Sequence, residues 1–456
     1  MSNNVVLICL DSVRKREFDK YAPRLRKLAD IEFDQCRAGS SWSIPSHATM
    51  LTGKLPYEHG VHTHHQTFKD LDNNAVLTER IPHKCISISA NQFTSETFGW
   101  DKWFDETFTI SQSSRFPNGI DPRESQGIVD HLRKSLQDSN TVESLGNGLM
   151  FKLSTITSGY PIPRFMDYGG NSILNMASNK LNKTTNDSFI FMNLMEAHIP
   201  HHKVWKYNNL GEKVPNSWSS DAINMDKWNR TGGDGVFQNE IKHFRTVYNQ
   251  SIDYLDKLIS SFIKKEISKN SETVFIITAD HGENLGYDED DKLIEHTASL
   301  SEGLLHVPLL VINSSQDISP KEISHTQLPG LIESLCTDSK ADVDKNVIKS
   351  ELIGSGRGEV DENDNKFWDR AQRTVYDFEK YMKIIWDSEG NKRQFQLNPE
   401  KKSWQQEVSV DPEFLEFAIK QFSIDINDYK DSVKKTNVTP DISESTKDQL
   451  KELGYM

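Results

Sequence analysis

Unbroken apolar runs of strand length punctuate the chain: Val5-Val6-Leu7-Ile8-Cys9-Leu10, Phe189-Ile190-Phe191-Met192-Asn193-Leu194-Met195, Thr273-Val274-Phe275-Ile276-Ile277-Thr278 and Val307-Pro308-Leu309-Leu310-Val311-Ile312. Runs of this kind suit strands of a parallel sheet covered on both faces. Cys85-Ile86-Ser87-Ile88-Ser89 predicts a further strand. Between the runs, Pro23 opens a short helical stretch to Ala29. Phe244, Val247, Tyr248, Ser251, Ile252, Leu255 and Ile259 recur at helical spacing and predict a long amphipathic helix. Strands alternating with helices define the α/β class. Ser46 reads as the N-cap of a helix over His47–Leu51 that Gly53 stops.

The pattern fails in two places. Residues 110–185 and 205–238 mix Gly, Ser and Asn with scattered apolar side chains, and are read as insertions or a lid over the sheet. After about 340 the composition turns richer in Ser and Asp. Thr374–Trp386 alternates like a strand or hairpin, and Glu400–Lys451 is charged and mainly helical. The expected division is a catalytic domain over 1–345 and a small α+β domain over 346–456.

Composition narrows the partners. The 456 residues carry a net charge of −14, which argues against nonspecific nucleic-acid binding. An anionic substrate stays open, because a bound cation can dominate the local field. No run approaches the ~18 apolar residues of a membrane span, and no basic segment with a long apolar stretch precedes Val5. The four cysteines form neither a disulfide framework nor a Cys-x-x-Cys pair. The expectation is a reduced, cytoplasmic protein whose oligomeric state the sequence does not give.

The candidate chemistry lies at the ends of the apolar runs. Asp11 follows the first, and Ala279-Asp280-His281-Gly282 follows the run at 273–278. In open α/β sheets ligands bind beyond the carboxyl ends of strands. Ser43, two residues before Pro45, stands just ahead of a helix N-terminus, where backbone N–H groups and the helix dipole favour an anion. Two carboxylates, an imidazole and a hydroxyl make a set fit for one divalent cation, which would lower the hydroxyl pKa. Taken singly, Asp11 could cap a helix, Asp280 could open a turn and His281 could be a buried structural histidine. His59-Gly60-Val61-His62-Thr63-His64-His65 reads as a polar loop rather than a metal cluster, since no carboxylate lies beside it in the segment.

Taken together, strand-Asp11, Ser43-Ile44-Pro45-Ser46-His47 with Thr52-Gly53, and strand-Ala279-Asp280-His281-Gly282 resemble the sulfatases of the alkaline phosphatase superfamily. Glu196-Ala197-His198-Ile199-Pro200 is similar to the family's Asp-Pro-His-x-Pro segment. Glu295-His296 resembles its late substrate loop, and Leu450–Met456 its terminal tail. The resemblance implies an alkaline-phosphatase-like α/β/α sandwich with a mixed, mostly parallel sheet, followed by a small four-stranded sheet with a helix. It implies a sulfuric ester hydrolase with Asp11, Asp280, His281 and Ser43 as metal ligands, Ser43 also being the nucleophile. It gives His47 the place of the motif's arginine, and His198 and His296 the holding of the anion or the leaving group. The cofactor implied is one divalent cation, Ca2+ in many sulfatases; His281, where many have Asn, admits Mn2+ or Zn2+. The substrate implied is a small anionic or sulfated molecule, sugars included.

Three departures stand out. Ser12 replaces the second aspartate of the first strand. The lysine-bearing segment after the second strand is missing, with Asn91 near its place. His47 replaces an arginine that the formylglycine-forming machinery reads, so Ser43 is expected to stay unoxidised. A phosphodiester or phosphonate monoester hydrolase using Ser43 directly, and a non-catalytic anion- or glycan-binding relative, are the competing readings.

Overall fold

A computed structural model describes residues 4–111, 113–158, 162–183, 187–232, 238–296, 299–316, 318, 322–339, 347–354, 368–433, 440 and 442–452. The expected domain boundary at 345/346 and the last four residues of the family-like tail lie outside the described residues.

The apolar runs form a seven-stranded sheet in the order Ile31–Glu32, Leu309–Ile312, Val274–Thr278, Val5–Leu10, Ser188–Leu194, Lys84–Ser89, Glu106–Thr109. Val5–Leu10 lies at its centre, parallel to Ser188–Leu194 on one side and to Val274–Thr278 on the other. All six of its residues are buried, which is why it reads as a continuous apolar run and not an alternating one. Lys84–Ser89 extends the parallel array, and Leu309–Ile312 joins it antiparallel. The sheet is thus mixed and mostly parallel, with helices on both faces. The 32-residue helix Gln238–Lys269 packs with Lys15–Tyr21, Pro23–Leu28 and Gly170–Lys183. Ser43–Thr52 packs with Leu328–Thr337.

The C-terminal sheet has five antiparallel strands rather than the expected four: Lys349–Ile353, Ala371–Asp377, Met382–Asp387, Lys392–Leu397 and Gln405–Val408. The alternating stretch at 374–386 is a hairpin across the second and third of these. It is not a detached module. Ile348, Leu352, Tyr376 and Phe395 join the main hydrophobic core, and buried Lys383 of the C-terminal sheet pairs with Glu302 of the short helix Glu302–Leu305, which also pairs with buried Arg37.

Of the two segments without readable pattern, the first is mainly helical among its described residues and the second mostly irregular. Residues 110–185 hold the helices Ile128–Gln137, Thr141–Ser158 and Gly170–Lys183; 205–238 holds Met225–Thr231.

Candidate active site

Four neighbouring parallel strands deliver polar side chains to one edge of the sheet. Asp11 follows Val5–Leu10, Asn193 is the penultimate residue of Ser188–Leu194, Asn91 lies two residues past Lys84–Ser89, and Asp280 two past Val274–Thr278. The helix Ser43–Thr52 points its N-terminus at them. It begins at Ser43, with Trp42 as N-cap, and not at Ser46. Pro45 is accommodated because an amide in the first turn of a helix has no intrahelical acceptor to lose. Gly53 ends the helix in the left-handed conformation, φ 72°. The earlier start brings the Ser43 hydroxyl into the first helical turn, closer to the free N–H groups than an N-cap at Ser46 would place it.

The geometry divides the donor atoms neatly. Asp11 Oδ2 accepts from Asn91 Nδ2 at 2.8 Å and Asn193 Nδ2 at 3.1 Å. Its Oδ1 accepts from Ser12 Oγ at 3.2 Å and faces His281 Nε2 at 3.9 Å and His198 Nε2 at 4.0 Å. Asp280 Oδ1 accepts from the backbone N–H of Ser12 (3.2 Å) and His281 (2.9 Å). Its Oδ2 is buried without a hydrogen-bond donor among the described residues and lies 3.4 Å from His281 Nε2. His281 Nδ1 donates to the Gly282 carbonyl at 2.8 Å, which leaves Nε2 as a lone-pair donor, and Ser43 Oγ stands 3.4 Å from it. Ligand atoms of Asp11, Asp280 and His281 lie within 4.8 Å of one another, all fully buried.

Burial, then the charge of Asp11, push the Asp280 carboxyl well above its ordinary value. Burial also works to raise Asp11, but His198, His281 and His47 beside it hold it below its ordinary value. Burial, with His296 adjacent, pushes His281 well down, so its imidazole is neutral. A buried pair of like carboxyls, an acceptor imidazole and an undonated carboxylate oxygen fit a divalent cation: each element lacks what a cation supplies.

His47 is fully buried, and both its ring nitrogens are engaged. Nδ1 meets the Ser43 carbonyl at 2.6 Å, and Nε2 accepts from Asn193 at 3.1 Å. It therefore ties the first turn of the Ser43–Thr52 helix to the amide that holds Asp11. A second cluster, Cys9, His47 and Asp280, has metal-like spacing, but His47 has no lone pair left to offer it, and burial raises the Cys9 thiol well above its ordinary pKa.

His198 and His296 face each other across the site, ring centroids 5.0 Å apart, and His296 also stacks near His281 at 4.7 Å. The hairpin of Asn284–Leu285 and Ile294–Glu295 carries His296 back to the strand end. Burial depresses each to about 4, against the raising effect of Asp11. Glu283 lies behind His296, Oε1 3.5 Å from Nδ1, in a fully buried position that raises its carboxyl.

All seven expected residues thus come together. Sequence reasoning missed Asn91 and Asn193 as partners of Asp11, and Glu283 as a partner of His296. The first two were findable, since both stand at carboxyl ends of strands flanking Asp11; Glu283 gave no signal beyond its nearness to His281. The histidine-rich loop makes ordinary hydrogen bonds, His64 with Asp369 at 2.9 Å and His65 with Asp70 at 3.0 Å. The carboxylates come from outside the segment, and no metal-like cluster forms there among the described residues.

Comparison with known proteins agrees with this architecture. The chain belongs to the sulfatase family, whose model matches residues 3–329. A phosphonate monoester hydrolase of Agrobacterium radiobacter superposes with a TM-score of 0.62 at 14% identity, covering 96% of each chain. A putative sulfatase from Bacteroides thetaiotaomicron gives 0.59 at 13%, covering 98% of this chain and 96% of that one. A 2-O GAG sulfatase gives 0.56 at 13%, with the same coverage. At such identities these neighbours show the fold. No curated protein sequence matches. The family supports an ester hydrolase of the sulfate or phosphate type. No helix among the described residues is long and apolar enough to cross a membrane.

Proposed function

We propose that the protein is a metal-dependent hydrolase of small, singly charged sulfate esters, sulfated sugars among them, working in a reducing, cytoplasmic setting that suits its four free cysteines. The observation that carries the reading is the convergence of Asp11 Oδ1, Asp280 Oδ2 and His281 Nε2 on the Ser43 hydroxyl at a helix N-terminus. Among the described residues, the side chains reaching these groups are histidines and amides rather than Lys or Arg. Such a lining supports a monoanion over a phosphate monoester dianion.

When bound, a divalent cation held by Asp11, Asp280, His281 and Ser43 would lower the serine pKa and polarise the ester oxygen. Ca2+ follows the family; the imidazole ligand suits Mn2+ or Zn2+ as well. Ser43 Oγ, its proton released to solvent, attacks the sulfur as the bond to the leaving alcohol breaks. His198 or His296 gives the departing oxygen its proton. Both are neutral in the free site, and an anionic substrate between them raises their proton affinity. Water then hydrolyses the covalent ester on Ser43. His47 positions the nucleophile's turn.

A second reading, hydrolysis of phosphodiesters or phosphonate monoesters, is favoured by one observation. An unoxidised serine lacks the second hydroxyl through which a hydrated formylglycine expels sulfate, and a phosphoserine is easier to clear by water. Assay of metal-replete protein with aryl sulfate, bis-aryl phosphate and aryl phosphonate separates the readings. Preference for aryl sulfate supports the first, preference for a phosphorus ester the second, and failure on all three refutes both.

A further inference from the structure

The two helices Ile128–Gln137 and Thr141–Ser158 are built inside out. In the first, Ile128, Val129, Leu132 and Leu136 all face solvent, Val129 being 78% exposed. At about 100° per residue they fall within an arc of roughly 100°. In the second, Val142, Leu149, Leu153 and Ile156 are exposed, Val142 by 83%, within an arc of roughly 60°. The positions turned inward are polar: His131, Ser135, Ser144 and Asn147 are all buried. Their hydrogen bonds are made within the segment. His131 Nε2 meets the Ser144 carbonyl at 2.9 Å, Ser144 Oγ accepts from Ile120 N at 2.8 Å, and Asn147 Nδ2 donates to the Phe116 carbonyl at 2.9 Å. Gly148 and Gly146 allow this close packing, since a Cβ on either would meet the His131 or Phe116 ring under 3 Å away. The hairpin thus spends its polar side internally and leaves its apolar side to water.

We propose that this face is covered by the same face of a second copy of the chain, in a twofold dimer whose seam is a four-helix bundle. Area fits. The eight exposed aliphatic residues present on the order of 800 Å2, the amount each partner contributes to a standard interface. Charge fits as well. Over 128–158, Asp130, Asp138 and Glu143 balance Arg133, Lys134 and Lys152. This is a locally neutral patch on a chain of net charge −14, where two copies can meet without the repulsion they feel elsewhere. The stripes are narrow, as in a bundle seam. A helix that lies in a bilayer surface carries an excess of Lys and Arg on its polar face, and here the signs cancel. A twofold contact is also self-complementary by construction.

The test is the mass in solution of the full chain by light scattering across the micromolar range. The expected result is a dimer of the 52.2-kDa chain, and a monomer for Leu136→Glu combined with Leu149→Glu, both at positions already exposed, with near-UV circular dichroism unchanged. As an independent readout, Val142→Cys should be captured as a covalent dimer by a bismaleimide linker, while the four buried native cysteines stay unreacted. A wild-type monomer throughout, with no captured dimer, overturns the proposal. So does wild-type protein that co-sediments with phosphatidylcholine vesicles through this face and loses that binding in the double variant.

Discussion

Replacing Asp280 with Asn should change stability in opposite directions with and without metal. Ligand atoms of Asp11 and Asp280 lie within 4.8 Å of each other in a fully buried site. Two full charges at that separation repel by about 3.5 kcal/mol at an effective dielectric of 20. Asp280 avoids this by holding its proton, which is the direction burial and Asp11 push it. The metal-free protein therefore already resembles the D280N variant. The amide oxygen can keep both backbone N–H bonds, and the amide NH2 can donate to His281 Nε2, which now faces the carboxylate at 3.4 Å. Without metal, D280N should melt at or above the wild type. With free metal a hundredfold above its dissociation constant, the wild type should gain about 2.7 kcal/mol. For a chain of this length that is a rise of roughly 3–5 °C. The variant should gain almost nothing and fall below the wild type. Scanning calorimetry after chelation, then with added Mn2+ or Ca2+, reads both effects. A variant that keeps the metal-linked rise, or that melts well below the metal-free wild type, would refute the assignment of Asp280 as a ligand held protonated in its absence.

His198→Ala should slow esters of poor leaving alcohols at least tenfold more than activated aryl esters if His198 is the general acid; equal losses on both would make it an anion holder, and the same comparison on His296→Ala assigns the other imidazole. Glu196, buried beside Asp167, has its carboxyl raised to about 7. Between its unfolded value and 7 the folded state binds the extra proton, so this group's contribution to stability falls as pH rises through that window. Glu196→Gln should therefore gain melting temperature relative to wild type from pH 5 to pH 8, by up to about 3 kcal/mol of stability. A constant difference across that range would contradict the burial argument.

The parts of the fold that could be read early were those where burial is two-sided. Val5–Leu10 is apolar at every position, and Val274–Thr278 at all but its last, because helices cover both faces of their sheet. Ile128–Gln137 carries an apolar stripe of Ile128, Val129, Leu132 and Leu136 that the surrounding Gly, Ser and Asn obscured, and in Thr141–Ser158 Gly146 and Gly148 dilute the pattern further. The expected start of the Ser43–Thr52 helix falls four residues late because Ser46 is a better capping residue than Trp42. Local side-chain bonds act there instead, with His47 Nδ1 on the Ser43 carbonyl and Ser46 Oγ donating to the Ser40 carbonyl rather than capping. Among the site residues, Asp11 and Asp280 declared themselves by ending strands. Asn91 and Asn193 did not, because an amide takes its meaning only from the carboxylate it meets, and that meeting is made across strands at a distance of 80 and 182 residues.

The reading stands or falls on Ser43 as a directly acting nucleophile. Peptide mass measurement of the segment around it, in resting protein and in protein acid-quenched during turnover of a slow aryl ester, tests this without intermediaries. The account predicts plain serine at rest and a sulfuryl or phosphoryl adduct on Ser43 in the quenched sample, absent from Ser43→Ala. An aldehyde at residue 43 that reacts with hydrazides, or turnover that persists in Ser43→Ala, would contradict it.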